Sequence, residues 1–313
     1  ANPKRPLRLY TVKNAWSTIP QEAGVDGEWK EASPEDVADF SATAYFFGNQ
    51  LQQSLDVPVG LIHCSWSMSK IEAWMDKETL SHFSEVTLPD TNQDKFEWAA
   101  GTPTLLWNAM VNPWKGFPVK GVIWYQGEAN TPDPALYKKL FPAMVSQWRN
   151  FFHNAEMPFY YVQIAPHKYG NSRNINSALL QEAQMKALQT IPNSGMIPTI
   201  DVGDEFCIHP PQKNVVGLRL ANLALTKTYG LHKFPSTGPM MTKVEYSKNK
   251  AIVTLDNAPS GLAPGNCELE GFEIAGADKK FYPAKARIAG RTRNVEVWSD
   301  QVAQPVAVRY AFR

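Results

Sequence analysis

The sequence predicts an α/β protein in two parts: a layered domain on a mostly parallel sheet over residues 1–230, then a small β-rich domain, a partial sandwich, over residues 231–313. Two observations predict it. Up to Gly230, short apolar runs alternate with segments whose apolar residues recur every three or four positions, the pattern of strands and helices packed in layers. Beyond Gly230 only short runs remain, separated by Gly, Pro and Asn, as in an antiparallel β unit. Size agrees, because 313 residues, 43% hydrophobic and 19% charged, bury a core without disulfides or metals.

The elements follow in order. Ser33-Pro34-Glu35-Asp36 reads as a helix start, with a cap residue, Pro at the first helical position and an acid at the third. Val37, Phe40, Ala44, Phe47, Leu51 and Leu55 then lie on one helix face. Val59–His63, Val119–Tyr125, Phe159–Ile164 and Met196–Ile200 read as buried strands of a parallel sheet. Leu180, Ala183, Ala187, Leu188 and Ile191 mark a second helix. Val216, Leu220, Leu223 and Ala224 mark a third, closed by Gly230 as its C′ residue. In the second part, strands are predicted at Ala251–Leu255, Gly271–Ala275, Val295–Trp298 and Val306–Tyr310.

Several function classes are excluded. Lys and Arg number 31 against 30 Asp and Glu, and they form no basic stripe, so nucleic acid is not a predicted partner. No apolar stretch is long enough to span a membrane. Residues 1–6 contain no apolar signal core, and the chain does not start with Met, which suggests a processed or excised chain. The 3 cysteines (Cys64, Cys207, Cys267) form no CxxC pair. His82, His153, His167 and His232 show no metal-ligand spacing, and no Walker loop or GxGxxG occurs, so no metal or organic cofactor is predicted. The 10 Trp, 11 Tyr and 15 Phe fit a well-packed core or sugar-stacking platforms, and composition alone favours the core.

Three segments could carry chemistry, each directly after a predicted strand, where ligands bind in open α/β sheets. In Trp124-Tyr-Gln-Gly-Glu-Ala-Asn130, Gln126 offers an amide donor for an oxyanion, Gly127 permits a tight turn, and Glu128 could orient a base. A strand-ending turn with a capping carboxylate reads equally well. In Asp201-Val-Gly-Asp-Glu-Phe-Cys-Ile-His209, His209 suits a general base, with Asp204 or Glu205 as an orienting acid. A loop histidine capping the next helix is the plainer reading. His63-Cys-Ser-Trp-Ser-Met-Ser69 contains Ser65, Ser67 and Ser69 but no G-x-S-x-G elbow, and reads first as a turn.

Together these segments resemble the sialate O-acetylesterase family, a carbohydrate-esterase branch of the SGNH hydrolases. The resemblance rests on Gly60-Leu-Ile, Ser69-Lys-Ile-Glu-Ala-Trp-Met75, Lys120-Gly-Val-Ile-Trp-Tyr-Gln-Gly-Glu-Ala-Asn130, and Asp201-Val-Gly-Asp with Ile208-His-Pro and Val216-Gly-Leu-Arg-Leu-Ala221. Gly271–Gly276 and Val308–Tyr310 are similar to the family's trailing β domain. It implies a three-layer SGNH-hydrolase-like fold and hydrolysis of acetyl esters on sialic acid, at the 9-O position, or on a related sugar. A serine attacks, His209 takes its proton, and the Ser67 and Gly127 region with Gln126 stabilises the oxyanion. Glu128 and Asn130 support the site or touch the acetylated sugar or sialoglycan. No cofactor is implied, and the setting is secreted, periplasmic or lysosomal.

The chain departs from the family's pattern in three places. It has no Gly-Gln-Ser nucleophile segment, which in the family precedes the stretch matching Leu7–Val12. Ser67-Met68 replaces a Gly-Gly pair. Phe206 stands where many SGNH enzymes carry the triad Asp. Three expectations follow: the serine lies on an N-terminal chain or segment outside these residues, leaving the sheet without its first strand; or the protein is an inactive relative that binds acetylated glycans; or Ser65, Ser67 or Ser69 is a relocated nucleophile.

Overall fold

The computed structural model describes residues 6–23, 26–170, 174–232, 236–263, 267–290 and 292–312. The chain forms two compact units, Ala1–Phe234 and Pro235–Arg313.

The first unit is mixed α/β. Its main elements are β1 (Leu7–Thr11), β2 (Lys30–Glu31), α1 (Pro34–Ala38), α2 (Ala42–Leu55), β3 (Val59–His63), α3 (Lys77–Leu80), β4 (Val122–Trp124), α4 (Pro134–Phe151), β5 (Phe159–Val162), α5 (Asn176–Thr190), β6 (Ser194–Ile197) and α6 (Lys213–Lys227). β1 and β3 run parallel, with Leu7 opposite Val59 and Thr11 opposite His63, and β2 pairs antiparallel with β1. β4, β5 and β6 form a second, wholly parallel sheet. Parallel pairing is therefore present, but not as one continuous sheet: β3 and β4 are each the end strand of their own sheet. The two sheets still share apolar packing. Val59 of β3 and Ile123 of β4 both pack into the cluster of Leu7, Leu9, Phe40 and Leu61, and both also pack into that of Val162, Val216 and Leu220. Each free edge carries backbone N–H and C=O groups that no described strand pairs.

Local chemistry accounts for the shifts from the predicted elements. The face read from Val37 to Leu55 is two helices, because a second cap interrupts it: Ser33 accepts from the Asp36 N–H at 3.1 Å and Ser41 from the Ala44 N–H at 3.3 Å. β6 stops at Ile197, since Pro198 has no N–H for the ladder. The long helix α4 is not anticipated by the strand–helix alternation. Its signals are local: Asp133 accepts from the Leu136 N–H at 2.9 Å and Pro134 opens the first turn. Pro142 in its interior argues against a helix on sequence grounds. Burial of Tyr137, Leu140, Phe141 and Met144 at 0–1% exposure overrides that objection. Much of the aromatic surplus is core, as in the edge-to-face packing of Trp124 on Trp148 and of Phe141 on Phe159 and Tyr161.

The second unit contains β7 (Met240–Ser247), β8 (Lys250–Asp256), β9 (Glu268–Leu269), β10 (Phe272–Ala275), β11 (Phe281–Pro283), β12 (Lys285–Ile288), β13 (Asn294–Trp298) and β14 (Ala307–Tyr310). They make an antiparallel five-stranded sheet, β7-β8-β13-β12-β9, and an antiparallel three-stranded sheet, β11-β10-β14. Val253, Val295 and Val297 of the first share one apolar cluster with Ile274 of the second.

Candidate functional site

The predicted site residues lie on three loops, which follow β3, β4 and β6. The first two loops are tied together by a buried polar network. Asn130, 4% exposed, is its centre. Its Oδ1 accepts from the Ile71 N–H at 2.9 Å and from Gln126 Nε2 at 2.7 Å, while its Nδ2 donates to Glu72 Oε2 at 2.8 Å. Gln126 Nε2 also donates to the Ser69 carbonyl at 2.8 Å, and Trp74 Nε1 donates to Ser69 Oγ at 2.9 Å. Gln184, fully buried, holds the Gln126 carbonyl through Nε2 at 3.2 Å and takes the Ile164 N–H on Oε1 at 2.9 Å. Because the two loops bond each other, β3 and β4 present the same ends to the site.

This network assigns Gln126 a different task from the expected one. Both of its amide hydrogens are committed, to Ser69 and Asn130, so its side chain joins the loops instead of presenting a free donor. Its Oε1 is buried with no partner among the described residues. Gly127 is set by its backbone, at φ 155°. A Cβ there would lie 2.6 Å from Ile164 Cγ2 and 3.0 Å from Leu180 Cδ2, so the turn accepts only glycine.

On the loop after β3, Ser67 is exposed. Met68 holds a left-handed φ of 58° and is 74% exposed. Trp98 Nε1 fixes its carbonyl at 3.2 Å. The backbone thus keeps a glycine-like conformation under a methionine side chain, at a cost of about 1–2 kcal/mol. Met68→Gly relieves that strain, offset in part by glycine's greater unfolded-state entropy. We expect a net stabilisation of roughly 0.5–1 kcal/mol, read as a rise of about 2 °C in thermal midpoint.

Ser65 is exposed, and its Oγ lies 2.7 Å from His63 Nε2. His63 Nδ1 is buried without a partner among the described residues, and burial holds the His63 pKa below its ordinary value. Burial pushes the Cys64 thiol up to about 12, which removes it as a nucleophile at neutral pH.

The loop after β6 is pinned from outside. Arg219 grips the Asp201 carboxylate through two bonds of 2.8 and 2.5 Å. Asp204 Oδ1 accepts the Phe206 N–H at 2.7 Å, and Glu205 faces Lys168 at 3.5 Å. Neither of the acids expected to orient the base hydrogen-bonds to His209 among the described residues, because one caps its own turn and the other meets an exposed lysine. The carboxylate coupled electrostatically to His209 is Glu128. Burial raises the Glu128 pKa, against the opposing pull of His209 and Lys213. Lys213, on the first turn of α6, stands 4.9 Å from the centre of the Tyr125 ring. Burial lowers its pKa while Glu128 raises it. His209 itself is exposed. Sequence reasoning gave no role to Glu72, Gln184 or Lys213; Glu72 lies in a run that carries the family resemblance, and the signal for the other two is only spatial. Among the described residues, no three His, Cys, Asp or Glu side chains converge as a metal site would need, and no helix is long and apolar enough to cross a membrane.

A solved structure described as a novel carbohydrate acetylesterase from Xanthomonas citri superposes with a TM-score of 0.87 at 39% identity, covering 97% of this chain and 67% of its own. Sialate O-acetylesterases of Homo sapiens and Rattus norvegicus are 29% and 27% identical over 275 and 302 residues, each over 80% of this chain. The chain spans about half the length of these curated relatives, 52% and 55%. Residues 3–226, which contain all three loops, match the family described as "Carbohydrate esterase, sialic acid-specific acetylesterase", and the chain belongs to that family.

Proposed function

We propose that this chain supplies the general base and the oxyanion-binding loops of a carbohydrate O-acetylesterase. Its substrate is a 9-O-acetylated sialic acid or a related acetylated sugar, in a secreted, periplasmic or lysosomal-type setting. The observation that carries the reading is the convergence of the loops after β3 and β4 on one network. The nucleophilic serine comes from a segment outside these residues. The free edges of β3 and β4, which pack into the same apolar clusters, are where a further parallel strand fits, and this supports that assignment.

In the reaction, the serine oxygen attacks the acetyl carbonyl and His209 takes the hydroxyl proton. The Ser67 N–H, on the loop that Gln126 and Asn130 hold, stabilises the oxyanion. The sugar hydroxyl leaves with the proton from His209, and water then releases acetate and regenerates the serine. Glu128 stabilises the imidazolium through its charge.

Acetate release from 9-O-acetylated sialic acid tests the reading. The expected result is none from these 313 residues and turnover from a longer protein that includes the serine. Turnover by the short chain that survives His209→Ala would overturn it. A longer protein that binds acetylated sugar without turnover would make it an inactive glycan binder. The Ser65–His63 contact of 2.7 Å favours a second reading, with Ser65 as nucleophile. In that case the short chain is active and Ser65→Ala is not.

Glu128→Gln separates the electrostatic role of Glu128 from its cost in stability. Burial raises the native carboxyl pKa above its unfolded value, so the native state binds more protons between the two. The wild type therefore loses stability as pH rises through that window, and the Gln variant does not. We expect Glu128→Gln to be more stable than wild type at pH 7 in thermal unfolding, yet to have a kcat lowered by about 10-fold or more, since the imidazolium loses the negative charge that stabilises it.

A further inference from the structure

We propose that the second unit carries a binding site for an uncharged saccharide. A cavity of about 580 Å³ opens in this unit against β9, β10, β12 and the last turn of the chain. That volume suits a small ligand of sugar size. Its wall is mixed in the way a sugar requires. Phe272 and Trp298, both half-buried, give aromatic surface for the C–H face of a pyranose. Glu268 and Glu270 are exposed on the rim and pair with no cation among the described residues, so their carboxylates are free to accept vicinal hydroxyls.

The aromatic wall is braced in advance. The Arg287 guanidinium sits 5.6 Å from the Trp298 ring centre. It is fixed in turn by Glu296, at 3.0 Å from Nε and 2.9 Å from Nη2, and Lys250 binds the same carboxylate at 3.2 Å. On the opposite sheet, Arg309 holds Glu273, which also lines the cavity, at 2.6 Å. Side chains held by ion pairs lose little freedom when a ligand arrives.

Charge selects the ligand class. Of the lining residues, Glu268, Glu270 and Glu273 are acidic and only Lys285 is basic. Glu273 is neutralised by Arg309, and Lys285 faces Asp300 at 3.7 Å. The rim is therefore net negative, which disfavours a sialic acid carboxylate and admits a neutral sugar chain. The unit would hold an uncharged stretch of glycan. The esterase loops belong to the other unit.

The test is titration of the full 313-residue chain with unacetylated xylotetraose and, separately, with 3′-sialyllactose, read by tryptophan fluorescence and calorimetry. Xylotetraose is expected to bind at millimolar concentrations or below, and sialyllactose at least about 10-fold more weakly. Glu268→Gln with Glu270→Gln changes only exposed groups and is expected to weaken xylotetraose about 10-fold. Trp298→Ala abolishes the binding and Trp298→Phe restores part of it. His209→Ala leaves it unchanged. No binding of xylotetraose at 10 mM (about −2.7 kcal/mol), equal binding of sialyllactose, or indifference to the Trp298 and Glu variants would each overturn the proposal.

Discussion

His209→Ala is expected to lower acetate release by about 10²–10⁴-fold in the serine-bearing protein, with KM little changed. His209 is exposed, and its imidazole makes no hydrogen bond among the described residues. The Cys207 thiol donates to its backbone carbonyl, at 3.1 Å, and the substitution leaves that contact in place. Thermal unfolding should therefore move by no more than about 1 °C, as for a surface change away from any network. Added imidazole should restore part of the rate, because the cavity left by the side chain adjoins the surface. A variant that unfolds early, or that keeps its rate, would show that His209 is a structural loop residue, which is the plainer of the two readings its sequence context allows.

Asn130→Ala has the opposite signature: stability falls first and activity falls with it. Removing the amide leaves the Ile71 N–H, one Gln126 hydrogen and the Glu72 carboxylate without partners at a site that is 4% exposed. Unsatisfied buried groups cost about 1–3 kcal/mol each, more when charged. Shared relaxation brings the sum to roughly 4 kcal/mol. For a unit of this size that is a fall of about 10 °C in midpoint. Asn130→Asp should be little better, because a second carboxylate would face Glu72. Denaturant titration of both variants checks the figure. A loss below about 1 kcal/mol would mean that water replaces the network, and that Asn130 is free to meet substrate instead.

These two residues also show where sequence stops. The Trp124–Asn130 run and the Asp201–His209 run were legible because each follows an apolar strand, and because the turn at Gly127 needs a glycine that the sequence supplies. Their grouping was legible only through family resemblance. Roles within the group were not. Gln126 reads as a free amide until the Ser69 carbonyl and the Asn130 oxygen take both its hydrogens. Asp204 reads as a partner for His209 until its carboxylate turns back to the Phe206 N–H. Glu128 and Lys213 are 85 residues apart, and only the approach of α6 to the end of β4 lets one shift the other's pKa.

The same division holds for the fold. Strand and helix types follow from apolar period, and caps at Ser33, Ser41 and Asp133 from side chains that accept backbone N–H groups within three residues. Such interactions are local, so the sequence by itself determined them, along with the change to short strands after Gly230. Strand pairing is not local. Each strand's period is satisfied whether its neighbour is present or absent, so nothing in Val59–His63 or Val122–Trp124 announces that β3 and β4 end their sheets. Only the tertiary structure decided that, together with the hydrogen-bond partners inside the site, because a polar side chain's role is fixed by which distant group reaches it first once water is excluded.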